Sequence, residues 1–136
     1  MAFVPKKFDE GKVRRLPVTG STTLTKHNHV KMSSGYLVAG SAGDNEAEYL
    51  ALETLTSAST DGATMCDVLP IDEVIEVIAT CATTPVQATH VGNDYDFSTA
   101  ALLDLTATTD KVFHIDAIVN ATDKTVRGHF NKPALA

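Results

Sequence analysis

Few residues in this chain have the type and spacing that chemistry needs. His27 and His29 lie two apart, as do His114 and Asp116. On a strand that spacing puts both side chains on one face, a geometry some metal sites use. A metal needs three or four converging donors, and no third follows at a diagnostic interval, so the histidines are expected as solvent-facing strand residues. Asp94 and Asp96, after Gly92 and Asn93, could open a calcium loop, but the later ligands of such a loop are missing and an Asx-rich turn is expected. Glu46, Glu48, Glu73 and Glu76 could pair as glycosidase carboxylates, yet no pocket-forming aromatics accompany them. Phosphate-cradling, dinucleotide, nucleophile-elbow and zinc-protease motifs are all missing. Cys66 and Cys81 have neither metal-type nor redox spacing and are expected as reduced, buried thiols. The expectation is a protein that is not an enzyme and uses no cofactor or metal.

The elements that position these residues begin with a charge split. Residues 1–31 carry seven cations against Asp9 and Glu10, a sum of +5, whereas the remainder carries four cations against fifteen acids, a sum of −11. A cationic leader on an acidic body suggests a segment that docks onto something negative. The 136 residues suffice for one domain with its own core, and 43% hydrophobic and 21% charged content argue against wholesale disorder. No apolar run is long enough to span a membrane, and two lysines without a following apolar stretch argue against a secretory signal. With 6% aromatics and an acidic balance, no basic-aromatic surface for reading nucleic acid is expected.

Residues 1–19 show no sustained period, and Pro5, Gly11 and Pro17 interrupt them. They predict an extended N-terminal arm, with residues 20–136 as the folded body. The arm's anchors and cations, Phe3, Val4, Lys6, Lys7, Phe8, Lys12, Arg14, Arg15 and Leu16, are the candidate binding residues. Sixteen extended residues reach up to roughly 50 Å, well beyond the radius of gyration of about 14 Å for a globule this size. Such an arm could cross onto a neighbouring subunit and would contribute little to the stability of the body. From residue 20 the texture is β, with turn signals every eight to twelve residues. Strands are predicted over 22–25, 30–32, 36–38, 49–53, 64–69 and 71–78, the last compatible also with a helix. Weaker strands over 86–91 and 101–105 flank the turn at 92–96. A closing hairpin over 112–119 and 125–130 should turn Phe113, Ile115, Ala117, Val119, Val126 and Phe130 inward. The predicted fold class is all-β, a small barrel or sandwich.

Residues 20–26 (GSTTLTK) and 30–39 (VKMSSGYLVA) resemble the opening of small capsid decoration proteins of tailed bacteriophages. Those proteins begin with an extended arm, then a Thr-rich strand, then a hairpin turning at a Ser/Asp-Gly pair. The resemblance continues through residues 51–53 (ALE), 68–71 (VLPI), 91–95 (VGNDY), 109–115 (TDKVFHI) and 126–130 (VRGHF), and so covers most of the chain. Where those proteins often carry a Gly-Gln step, this chain has His27, Asn28 and His29.

The resemblance implies a β-barrel-like, β-tulip domain that binds the outer surface of an expanded icosahedral capsid after synthesis in the host cytoplasm. The implied partners are the major capsid protein and further copies of the chain in a homotrimer, with no nucleic acid and no membrane. The implied role is cementing: each copy bridges shell subunits and opposes the pressure of packaged DNA. Another structural virion component, from a tail or head completion, is the nearest alternative. A small-ligand-binding or hydrolytic β-barrel is the alternative from a different class.

Overall fold

The structure, a computed structural model, describes residues 3–131; residues 1–2 and 132–136 lie outside the described residues. The elements in chain order are β1 (Phe3–Phe8), a 3-10 turn (Glu10–Lys12), β2 (Arg14–Pro17), β3 (Thr23–Leu24), β4 (His29–Ser33), β5 (Tyr36–Ala39), β6 (Tyr49–Ala51), β7 (Leu55–Thr56) and β8 (Met65–Pro70). A second 3-10 turn (Ile71–Glu73) then leads to β9 (Val74–Thr80), α1 (Gln87–His90), β10 (Asp94–Phe97), β11 (Leu103–Asp104), β12 (Phe113–Asn120) and β13 (Thr125–Phe130). With 48% of residues in strands and 7% helical, the chain is all-β, as its turn spacing predicts. No described helix is long and apolar enough to cross a membrane.

A six-stranded antiparallel sheet, in the order β1-β9-β13-β12-β10-β11, curls into a half-barrel. It curls far enough for Leu103 of β11 to bridge Cys81, just past β9. Its concave side holds the larger core, including Leu50, Val77, Phe97, Phe113, Ile115 and Phe130. A five-stranded sheet, β2-β8-β6-β4-β5, covers a smaller core of Val18, Leu24, Val30, Leu37, Ala51, Cys66 and Val68. The β4–β5 hairpin turns at Ser34 and Gly35, both with positive φ (53° and 88°), the backbone that a tight hairpin of this hand requires.

The expected extended arm is not confirmed. Residues 3–8 are β1, antiparallel to β9, with Phe3 opposite Ala79 and Val4 opposite Ile78. Residues 14–17 are β2, antiparallel to β8, with Arg14 opposite Val68 and Pro17 opposite Met65. The segment therefore supplies one edge strand to each sheet. Its prolines explain why no period is legible. Pro5 and Pro17 are tolerated because an edge strand needs ladder bonds on one side only, and β1 carries register shifts around Lys7 that scramble alternation.

Three other expectations change. Residues 71–78 resolve into the 3-10 turn and then β9, so the strand reading holds from Val74 onward. Residues 86–91 are a helical turn rather than a strand, because the His90 and Thr89 backbone N–H groups both donate to the Val86 carbonyl while the Val86 N–H donates to His90 Nδ1. The expected turn at 92–96 is drawn into the sheet from Asp94 onward. Gly92 (φ 88°) lets its N–H donate to the Ile115 carbonyl, and Ile115 donates back to Asn93. In the closing hairpin, register shifts after Ile115 and Ile118 break strict alternation. Ile118 consequently packs on the core and Val119, expected inside, is 53% exposed.

Phe3 is wholly buried, so Phe3→Ala should cost about 3–5 kcal/mol in urea unfolding. Deleting residues 2–16 should abolish the cooperative transition, not spare it. Gly128 faces Ile115 across the hairpin, where an added Cβ would strike the His114 carbonyl and the Phe113 ring. Gly128→Ala should therefore lower the melting temperature by many degrees, and an unchanged midpoint would show that β12 and β13 separate at little cost.

Candidate functional site

The nine candidate residues of the N-terminal segment divide by where the two edge strands place them. Phe3 points into the half-barrel, ring to ring with Phe97 (5.5 Å, near-perpendicular) and Phe130 (5.3 Å). Leu16 packs against the smaller core, and Phe8, opposite Val74, is half-buried. Phe3 is therefore a core residue and Leu16 a half-buried support of the smaller core, not anchors presented to a partner. Val4 points to the outer face beside Ile78. The cations all lie in water, but two are partly satisfied: Lys7 Nζ is 3.7 Å from Glu76 and Arg15 Nη1 is 3.0 Å from Asp67. Exposed pairs of this kind contribute little to stability. Lys6, Lys12 and Arg14 have no ion-pair partner among the described residues and keep their charge available.

Arg14 borders a cleft of about 300 Å³ that also takes in Glu46, Glu48, Tyr49 and Asp72. Two of the four acids considered as a catalytic pair thus come together. Glu48 Oε1, however, accepts the Met32 N–H at 3.3 Å, and Glu76 lies elsewhere, beside Lys7.

His29 departs most from its expected place. It is fully buried, stacked on Phe97 with ring centroids 4.6 Å apart and planes within 6°. Its Nε2 accepts the Glu48 backbone N–H at 3.1 Å, which leaves the ring proton on Nδ1, 3.4 Å from Asp44 Oδ2. Gly40 makes the room, since a Cβ there would strike the imidazole. Burial pushes the His29 imidazole down to about 4, against the opposing pull of the Asp44 charge. Asp44 is partly desolvated, but hydrogen bonds from Lys31 and Ser41 outweigh this and hold its carboxyl below the usual range. The arrangement pins the 40–46 loop over the core. His27 is not on a strand at all: it lies in a loop with φ 69° and is half-buried.

His114 and His129 face each other across β12 and β13, ring centroids 5.1 Å apart. His114 Nδ1 donates to Asp94 Oδ1 at 2.8 Å, and the two Asp116 oxygens lie 3.6 Å from His114 Nε2 and 3.5 Å from His129 Nδ1. Partial burial opposes ionisation of Asp94, but the hydrogen bonds from Asn131 and His114 prevail and keep it below the ordinary carboxylate range. His129 was missed in sequence because only the strand register reveals it. No group of three or more His, Cys, Asp or Glu among the described residues is placed to hold a metal. Asp96, expected in a turn, is buried and accepts the backbone N–H groups of Thr109, Asp110 and Lys111, and so organises the loop before β12. Comparisons with protein-family models, with curated proteins and with solved structures find no match to this chain.

Two solution properties follow from this chemistry. A neutral His29 is favoured by the fold, so its stabilisation is complete above about pH 6.5 and is lost as pH falls towards about 4. A shift of that size corresponds to about 3 kcal/mol. Urea midpoints measured from pH 7 to 4.5 should fall, and the drop in this window should be smaller in His29→Asn. Cys66 and Cys81 are both free and buried, with burial raising their thiols to about 11 and about 12. Iodoacetamide should leave both unmodified in the native protein and alkylate both after denaturation; rapid native labelling would contradict their burial.

Proposed function

We propose that this chain is a structural virion protein that binds the outer surface of a bacteriophage capsid and cements neighbouring major capsid subunits, without catalysing a reaction. The resemblance to phage decoration proteins implies an all-β, barrel-like domain, and the chain has an all-β fold built on a half-barrel. The observation that carries the reading furthest is that Lys6, Lys12 and Arg14, on two edge strands and the turn between them, are exposed and have no ion-pair partner among the described residues of an otherwise acidic body. A cationic margin attracts an acidic protein surface without requiring net positive charge. Repeated over a lattice, even weak attachment of each copy adds up, because a ligand that binds only the intact shell stabilises it by mass action. The finer reading is a β-tulip homotrimer seated on the capsid exterior.

Quantitative mass spectrometry of purified particles should find hundreds of copies of this chain per capsid. A handful would indicate a tail or head-completion component instead. Replacing Lys6, Lys12 and Arg14 together with Gln should weaken attachment to purified capsids at least about tenfold at low salt, with a smaller difference at high salt, where screening has removed most of the steering. Unaltered attachment of this variant would remove the cationic margin from the interface.

A further inference from the structure

Two hollows on the protein surface share Thr80, the last residue of β9. The first, of about 360 Å³, is lined by Val4 and Ile78 of adjacent strands, with Lys6, Asp123 and Thr125. The second, of about 420 Å³, is lined by Ala101 and Leu102, with Thr25, Asn28, Thr54 and Lys26. The two hollows adjoin at Thr80 and between them offer apolar patches, hydroxyl and amide groups, and one lysine each, which we read as the two halves of one groove. Both lysines are exposed and have no ion-pair partner among the described residues. Burial first, and then nearby positive charges, those of Lys26 and Lys6 among them, hold the His27 imidazole below the ordinary histidine range.

We infer that this groove is a docking surface for an extended acidic peptide segment of a partner protein, whose carboxylates meet Lys6 and Lys26 while its apolar side chains rest on Val4, Ile78 and Leu102. An extended peptide turns alternate side chains to one face at a repeat of about 7 Å, which lets it present carboxylates and apolar groups to a surface that holds both lysines and apolar side chains. Recognition is through side chains rather than by an added strand. β1 is an edge, but the Phe3 N–H already donates to the His27 carbonyl and Pro5 has no N–H to offer. A nucleic acid fits this groove less well, because Asp123 lines one half and no aromatic ring lines either half to stack a base. Lys6 belongs to both readings, but Lys26 belongs to the groove alone and Lys12 and Arg14 to the cationic margin alone, so substitutions at these three let the two succeed or fail separately.

The test uses the full chain and a fluorescein-labelled synthetic peptide of alternating aspartate and leucine, titrated by fluorescence anisotropy. The same peptide with lysine for aspartate and a single-stranded oligonucleotide of equal charge serve as comparators. The acidic peptide should bind, and on titration the methyl resonances of Val4, Ile78 and Leu102 should shift. The Lys6→Glu/Lys26→Glu variant, with an unchanged unfolding midpoint, should bind at least about tenfold more weakly. If that double variant unfolds more easily than the parent, Lys6→Gln/Lys26→Gln should show the same loss in smaller measure. Equal binding by these variants, equal binding of the oligonucleotide, or no binding of the acidic peptide to the parent protein would each overturn the proposal.

Discussion

The structure depends most on one ring. Phe3 sits inside the half-barrel among Phe97, Phe113 and Phe130, its centroid between 5.3 and 6.4 Å from theirs. Four of the five phenylalanines thus form one cluster, with edge-on and tilted contacts that each add about 0.5–1.5 kcal/mol beyond area burial. These rings come from β1 at one end of the chain and from β10, β12 and β13 towards the other. Because Phe3 belongs to an edge strand, its insertion also commits β1 to β9 and so sets that edge of the six-stranded sheet.

The same segment links the two sheets. Five residues, 9–13, separate the end of β1 at Phe8 from β2, the edge of the five-stranded sheet. The Phe3 N–H reaches the carbonyl of His27, whose own N–H donates to Ala51 in that second sheet. His29 makes a further bridge: its backbone belongs to β4, while its ring stacks on Phe97 of β10. A buried imidazole is costly unless its nitrogens are served; here the Glu48 backbone N–H serves Nε2, while Nδ1 faces Asp44 at 3.4 Å without a hydrogen bond. The ring stack and the Nε2 hydrogen bond thereby tie β4 to both layers.

The cationic leader acquires a second physical meaning from this placement. Pro5, Lys6 and Lys7 lie on one sheet edge, and Arg14, Arg15 and Pro17 on the other. Lysine, arginine, proline and bulges are the features that keep an exposed edge from pairing with a stray strand. The charge split therefore guards the two sheet edges, and Lys6, Lys12 and Arg14 have no ion-pair partner among the described residues.

Composition, turn chemistry and alternation were enough to determine the all-β class, the β4–β5 hairpin at Ser34 and Gly35, the β12–β13 hairpin, and two buried thiols, because each is a local or compositional property. The N-terminal strands were illegible because an edge strand needs neither two-sided ladders nor regular alternation, so Pro5 and Pro17 looked like breaks. His29 read as a surface residue for a similar reason. Its burial depends on the Phe97 ring, the space left by Gly40 and the Glu48 backbone donor, all supplied by other segments. His129 joined His114 and Asp116 only when the strands took their register, and Lys6 came to line a hollow with Ile78 and Thr80 only when the N-terminal strand paired with β9. Periodicity within a strand is short-range and can be read from the chain; which edges, rings and charges meet is set by long-range packing, which local pattern does not encode.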